Sequence, residues 1–106
     1  MFFKPKYFKI SAKEAKALMD GGSVIVIDVR DFSEYNGGHI QNAVCLPLSD
    51  ITRKAPAVLT DKNAKILVHC ESGHRSAMAC SELVKMGYTD INDFGGIIDW
   101  PYGTVR

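Results

Sequence analysis

One loop of the chain combines residue types suited to nucleophilic chemistry: Cys70, Glu71, Ser72, Gly73, His74, Arg75 and Ser76. An apolar run precedes the loop and a segment of helical periodicity follows it, so the loop amides can converge on one point at a helix N-terminus. The positive end of the helix dipole favours an anion there and favours the thiolate of Cys70. Gly73 permits a tight turn, and Arg75 adds a fixed positive charge. The loop therefore predicts a reactive thiolate in an anion-binding cradle.

A second polar group follows a neighbouring apolar run. Asp28, Arg30 and Glu34 are expected to form ion pairs that brace the loops around the site, rather than to take part in catalysis. His39 is expected to hold loop backbone together. Two roles remain open for Arg75, which either orients an anionic substrate or pairs with Glu71 or Glu34.

The remaining cysteines and histidines are weaker candidates for a catalytic role. Cys45 and Cys80 lie in apolar patterns typical of small core residues, and the three cysteines form no C-x-x-C pair. Neither a disulfide framework nor a metal site is expected. His69 adjoins Cys70 on a predicted strand, where neighbours point to opposite faces, so it is not expected to be the catalytic base. His74 either touches a substrate or points into solvent.

The elements that position these residues follow from periodicity and capping signals. Ser11 and Glu14 form a capping-box pattern that predicts a helix ending at Gly21 and Gly22. Short helical turns are expected over residues 48–63, where Pro56 limits any long helix. A longer helix is predicted over residues 76–86. Strands are predicted at residues 24–27, 43–46, 64–69 and 91–94.

Alternating strands and helices predict an α/β fold with a mostly parallel central sheet and helices on both faces. Sites in such sheets form outside the carboxyl ends of the strands. Asp28, Arg30 and Cys70 all follow such ends, so we expect them to lie near one another.

Length and charge exclude several classes of function. The chain has 106 residues, which fits one domain over residues 1–106, and its formal net charge of +1 supplies no field to attract nucleic acid or an anionic membrane. No apolar stretch is long enough to span a bilayer, and the first residues lack a signal-peptide pattern. We therefore expect a soluble, cytoplasmic protein that binds neither nucleic acid nor membrane.

Three motifs together resemble the rhodanese-like domain family of single-domain sulfurtransferases. The Cys70 loop is similar to the family's Cys-x-x-Gly-x-Arg loop, and Gly95-Gly96 with Trp100 is similar to its closing signature. The other matching positions are Asp28-Val29-Arg30, Glu34-Tyr35, Gly38-His39-Ile40, Ala43 and Pro47. The resemblance implies that Cys70 attacks the outer sulfur of thiosulfate, expels sulfite and carries a persulfide to cyanide or another thiol. It implies no cofactor and no metal.

The main enzymatic competitor is a phosphatase or arsenate reductase built on a Cys-x5-Arg loop. Arg75 is the fifth residue after Cys70, so the loop is one residue shorter than that motif. A tetrahedral phosphate needs a wider ring of amides than a single added sulfur does. The sequence also offers no aspartic general acid for phosphatase chemistry.

Two features depart from the usual active rhodanese. Glu71 places a carboxylate beside the incoming anion, which costs on the order of 1 kcal/mol in water at about 4 Å and predicts a poor thiosulfate donor reaction. The segment after Trp100 is short, so one wall of the site is expected to be missing or supplied by a partner. An alternative function is therefore a sulfur-carrier or sensory interaction module that a protein partner loads, with little activity on thiosulfate.

Overall fold

A computed structural model describes residues 6–106 and contains one five-stranded sheet. The strands lie in the order β1-β5-β4-β2-β3, and every paired neighbour is parallel. Their bounds are β1 Phe8–Lys9, β2 Ile25–Asp28, β3 Val44–Cys45, β4 Ile66–Cys70 and β5 Ile91–Gly96. The predicted α/β class and parallel sheet are confirmed.

Four α-helices connect and cover the strands: α1 Ala12–Gly21, α2 Phe32–Asn36, α3 Ile51–Val58 and α4 His74–Lys85. Single 3₁₀ turns occupy Leu48–Asp50 and Ile97–Asp99. Helix α1 begins at the predicted capping box, in which the Ser11 hydroxyl accepts from the Glu14 amide and the Glu14 carboxylate accepts from the Ser11 amide. It ends at Gly22, whose φ of 84° is left-handed and favours glycine. No helix within residues 6–106 is long and apolar enough to cross a bilayer.

Two apolar clusters form the core, one on each face of the sheet. Alternate residues of a strand point to opposite faces, so Leu67 packs with α1 while Val68 packs with α3 and α4. All five residues of β4 are buried. Burial on both faces explains the continuous apolar run that precedes His69 and Cys70. Helices therefore cover both faces, as predicted.

The structure differs from the sequence-based expectations at several boundaries. Strand β3 contains only Val44 and Cys45. The short helical turns expected over residues 48–63 are a 3₁₀ turn and the eight-residue helix α3, which ends two residues after Pro56. Helix α4 begins at His74 rather than at Ser76, and β5 continues to Gly96. Strand β1 is not predicted because its two residues are exposed and form no apolar run; parallel pairing with residues 92 and 93 of β5 creates it.

Candidate active site

Cys70 ends the central strand β4 and begins the loop that leads into α4. Its side chain is buried, with the residue only 1% exposed. The Gly73 amide donates a hydrogen bond to Sγ of Cys70 over 3.0 Å. Gly73 is the N-cap of α4 and has a φ of 105°, a left-handed conformation that L side chains rarely adopt. The loop thus turns back over its own cysteine and presents a backbone N–H to the sulfur.

The opposite wall of the loop is the end of β5. The register of β4 and β5 is irregular there, and Cys70 is paired with Gly96. A Cβ at position 96 would lie 2.7 Å from the Cα of Ser72 and would overlap the carbonyl oxygen of Glu71. That carbonyl accepts a hydrogen bond from the Ile98 amide over 3.2 Å. Only a residue without a side chain therefore allows the strand to support the loop so closely.

Arg75 forms a two-point ion pair with Glu34 of α2. Its Nη1 and Nη2 lie 2.6 and 2.9 Å from the two carboxylate oxygens. The hydrogen bonds from Arg75 lower the pKa of Glu34 to about 2, against the opposing effect of partial burial. Of the two carboxylates expected as partners, Arg75 pairs with Glu34 and not with Glu71.

Arg30 is the buried centre of the second charge group. Its Nε and Nη2 donate to the Asp28 carboxylate at 2.8 to 3.1 Å, and Nη2 also donates to the Gly38 carbonyl oxygen at 2.8 Å. Its Nη1 reaches Oε1 of Glu71 over 3.3 Å. The expected Asp28–Arg30 pair is present, whereas Glu34 belongs to the Arg75 pair instead.

His69 lies on the other face of the sheet from Cys70, as predicted. It is fully buried, its ring lies 5.0 Å from the ring of Phe94, and its Nδ1 is 3.0 Å from the Cys70 carbonyl oxygen. Within the described part of the chain, Nε2 has no hydrogen-bond partner, and it lies 3.7 Å from Oδ2 of Asp28. Burial lowers the pKa of His69, which favours the neutral ring. His69 therefore positions the backbone of Cys70 and does not face its sulfur.

The other predicted site residues divide between the rim and the supporting structure. Ser72 and His74 are exposed, while the Ser76 hydroxyl donates to the Gly73 carbonyl oxygen over 3.1 Å and closes the first turn of α4. His39 stacks on the Tyr35 ring at 3.8 Å, its Nδ1 lies 2.9 Å from the Tyr35 carbonyl oxygen, and its backbone pairs with Val105.

The two other thiols lie outside the loop. Cys80 is buried in the core under α4, and Cys45 is half-buried at the edge of the sheet. Burial raises the pKa of both thiols, so neither is an activated nucleophile. Among residues 6–106, no three His, Cys, Asp or Glu side chains are grouped so as to hold a metal ion.

Sequence reasoning missed the contribution of β5 to the site. Gly96 supports the loop. The Asp93 carboxylate accepts a hydrogen bond from the Gly95 amide over 2.8 Å, within the stretch of β5 where the register with β4 is irregular. Two consecutive glycines at the end of an apolar strand are the signal that could have indicated a close backbone approach.

Residues 11–100 match the rhodanese-like domain family. Over 73 residues the chain is 36% identical to thiosulfate sulfurtransferase PspE of Escherichia coli, covering 69% of this chain and 70% of that protein. It is 34% identical to the putative sulfur carrier protein YrkF of Bacillus subtilis over 87% of this chain. This match spans 50% of the length of YrkF. The chain is also 37% identical to a tRNA uridine(34) hydroxylase of Leptospira interrogans, over 88% of this chain but only 27% of that protein.

Solved structures agree in fold. A rhodanese with anions from E. coli superposes with a TM-score of 0.73 at 32% identity, covering 78% of this chain and 98% of that one. A rhodanese-related protein of Thermoplasma volcanium gives a TM-score of 0.80 at 29% identity, over 93% of this chain and 98% of that chain. With the matched segment extending from the cap of α1 to Trp100, the chain belongs to the rhodanese-like domain family of sulfurtransferases.

Proposed function

We propose that the domain transfers a sulfane sulfur from thiosulfate or a persulfide donor to cyanide or a thiol through a persulfide on Cys70. The observation that carries this proposal is the 3.0 Å hydrogen bond from the Gly73 amide to Sγ of Cys70, at the N-cap of α4. An amide aimed at the sulfur and the positive end of a helix dipole both stabilise a thiolate, and they stabilise the persulfide anion that replaces it.

The reaction needs no general base once the thiolate exists. The Cys70 thiolate attacks the outer sulfur of thiosulfate; a new S–S bond forms, the S–S bond of the donor breaks, and its electron pair leaves on sulfite. Cyanide then attacks the outer sulfur of the persulfide, thiocyanate departs and the thiolate is restored. A covalent carrier of this kind divides one transfer into two easier ones and predicts ping-pong kinetics.

The other residues of the loop, residues 71–76, are proposed to surround the transferred sulfur and to fix the geometry of the amides. Arg75 acts as electrostatic support, since its pair with Glu34 holds the start of α4 against α2. Asp28, Arg30 and His39 support the loop from the neighbouring strand end. Of these three residues, Arg30 contacts the loop directly, through the Glu71 carboxylate, while Asp28 holds the Arg30 side chain in place.

The test is thiocyanate formation from thiosulfate and cyanide. We expect Cys70→Ser to abolish it, because a serine hydroxyl is not ionised at neutral pH. Cys45→Ser is the matched control: it makes the same change in a half-buried thiol at the sheet edge and should keep the wild-type rate. Full activity in a folded Cys70→Ser variant would reject the proposal.

A second candidate is a sulfur carrier or sensory module that accepts sulfur from a protein partner. The observation that favours it is the Glu71 carboxylate, which follows Cys70 directly and has 46% of its side chain exposed. A negative charge at this place opposes an anionic donor such as thiosulfate. Loading of Cys70 by a persulfidated protein, with none by thiosulfate, would select this candidate.

A further inference from the structure

The positive charges near Cys70 are already neutralised by carboxylates of the chain itself. Arg75 is held by both oxygens of Glu34. Arg30 is buried, and its side chain donates to Asp28, to the Gly38 carbonyl and to Glu71. Neither guanidinium is left with an uncompensated charge for the sulfonate group of thiosulfate.

A count of these charges leaves an excess of negative charge. Three carboxylates, Asp28, Glu34 and Glu71, face the two guanidiniums of Arg30 and Arg75. Glu71 makes the longest of these contacts, 3.3 Å, and it alone among the three carboxylates adjoins Cys70 in the chain. Its carboxylate is also the most exposed of the three, so the excess charge lies at the surface, on the residue that follows Cys70.

An exposed apolar residue, Ile98, lies next to Glu71. The Ile98 amide donates to the Glu71 carbonyl oxygen, which places Ile98 beside the loop, and the Ile98 side chain is 69% exposed. An organic substituent on a donor could pack on such a side chain, whereas a sulfonate gains nothing there.

We propose that Glu71 determines the sulfur donor, so that Cys70 accepts sulfur from an organic persulfide, R–S–SH, and discriminates against thiosulfate. This inference rests on the proposed persulfide function of Cys70. In the step, the Cys70 thiolate attacks the outer sulfur of R–S–SH and forms Cys70–S–SH. The S–S bond of the donor breaks, and its electron pair leaves on the thiolate R–S⁻. The entering persulfide carries at most one negative charge towards Glu71, whereas thiosulfate carries two.

The test compares the second-order rate constants with which two donors load Cys70, followed by intact mass. The donors are thiosulfate and the persulfide of N-acetylcysteine methyl ester, whose organic part carries no charge. Glu71→Gln removes the charge, keeps the shape and leaves an amide oxygen that can still accept from Arg30. Glu82→Gln, in the last part of α4, removes a carboxylate that has no side-chain partner among residues 6–106 and is the matched control.

We expect Glu71→Gln to raise the thiosulfate rate constant about tenfold and to change the persulfide rate constant less than about twofold. Added salt should accelerate thiosulfate loading of the wild type more than that of Glu71→Gln, because screening removes the same repulsion. Glu82→Gln should change neither rate constant. A persulfidated cysteine peptide is tested in parallel as a third donor. Loading by the peptide without loading by the small persulfide would indicate that the site recognises a polypeptide donor.

An unchanged thiosulfate rate constant in Glu71→Gln, or equal increases with both donors, would overturn the role of Glu71. Failure of every donor to load Cys70 in both the wild type and Glu71→Gln would instead reject the persulfide function on which it rests.

Discussion

At the scale of single residues, the site is centred on the sulfur of Cys70 and on the Gly73 amide that donates to it over 3.0 Å. Cys70 and Gly73 could be placed because their spacing within one loop is local. The partner of Arg75 could not, since Glu34 and Glu71 were both available. The choice depends on how helix α2, whose Glu34 is 41 residues from Arg75 in the chain, approaches the loop. The environment of the His69 Nε2 atom could not be predicted from the sequence either, because it depends on how the ring packs against Asp28.

Gly96 offers a test of how tightly β5 supports the loop. In Gly96→Ala the new methyl group must displace the backbone of Glu71 and Ser72. We therefore expect this variant to lower the free energy of unfolding by about 1–3 kcal/mol, the usual cost of overpacking, and to slow the loading of Cys70 with sulfur. Urea unfolding and the loading rate are the measurements.

The control for this substitution is Gly21→Ala in α1, where an added Cβ meets nothing within 4 Å. It should leave loading unchanged and raise stability by up to about 1 kcal/mol, since alanine has the higher helix propensity. If Gly96→Ala is as stable as the wild type and loads Cys70 at the same rate, the close contact between β5 and the loop is contradicted.

At the scale of elements, the sequence located most helices and strands but missed features created by tertiary contact. Capping signals placed α1 correctly because Ser11 and Glu14 act on their own helix. Helix α4 starts earlier than predicted because the left-handed Gly73 serves as its N-cap, and this geometry cannot be read from apolar periodicity. The pair between Glu34 and Arg75 links the short α2 to the first turn of α4. No local pattern in either helix predicts that the two helices are in contact.

That link predicts a pH dependence of stability. The folded pKa of Glu34, about 2, lies below its ordinary value of 4.5, so the pair contributes its full stability above pH 4.5 and loses it as the pH falls towards 2. Because the pair is partly exposed, we expect the loss to be only about 1 kcal/mol. Urea unfolding of the wild type and Glu34→Gln across this range measures the difference.

The wild type should lose more stability than Glu34→Gln between pH 4.5 and 2, and Arg75→Gln should flatten the dependence to the same extent. Parallel curves for the wild type and Glu34→Gln would show that the pair contributes nothing to stability.

At the scale of the whole molecule, the alternation of elements was enough to predict a parallel sheet with helices on both faces. The predicted strand ends do meet at one edge, where the β2 residue Asp28 lies near Arg30 and the β4 loop carries Cys70. Strand β1 and the register irregularity at the end of β5 were not predictable, since both depend on pairing between distant segments. The same edge concentrates carboxylates in a chain whose net charge is only +1, so overall charge says little about the field at the site.

The measurement that most directly tests the persulfide on Cys70 is the intact mass of the protein after exposure to a sulfur donor and desalting. Folded, reduced wild type incubated with thiosulfate or with the persulfide of N-acetylcysteine methyl ester should gain the mass of one sulfur atom and lose it again on addition of cyanide. The Cys70→Ser variant should show no gain. No gain in the wild type with either donor, or an equal gain in Cys70→Ser, would contradict the account.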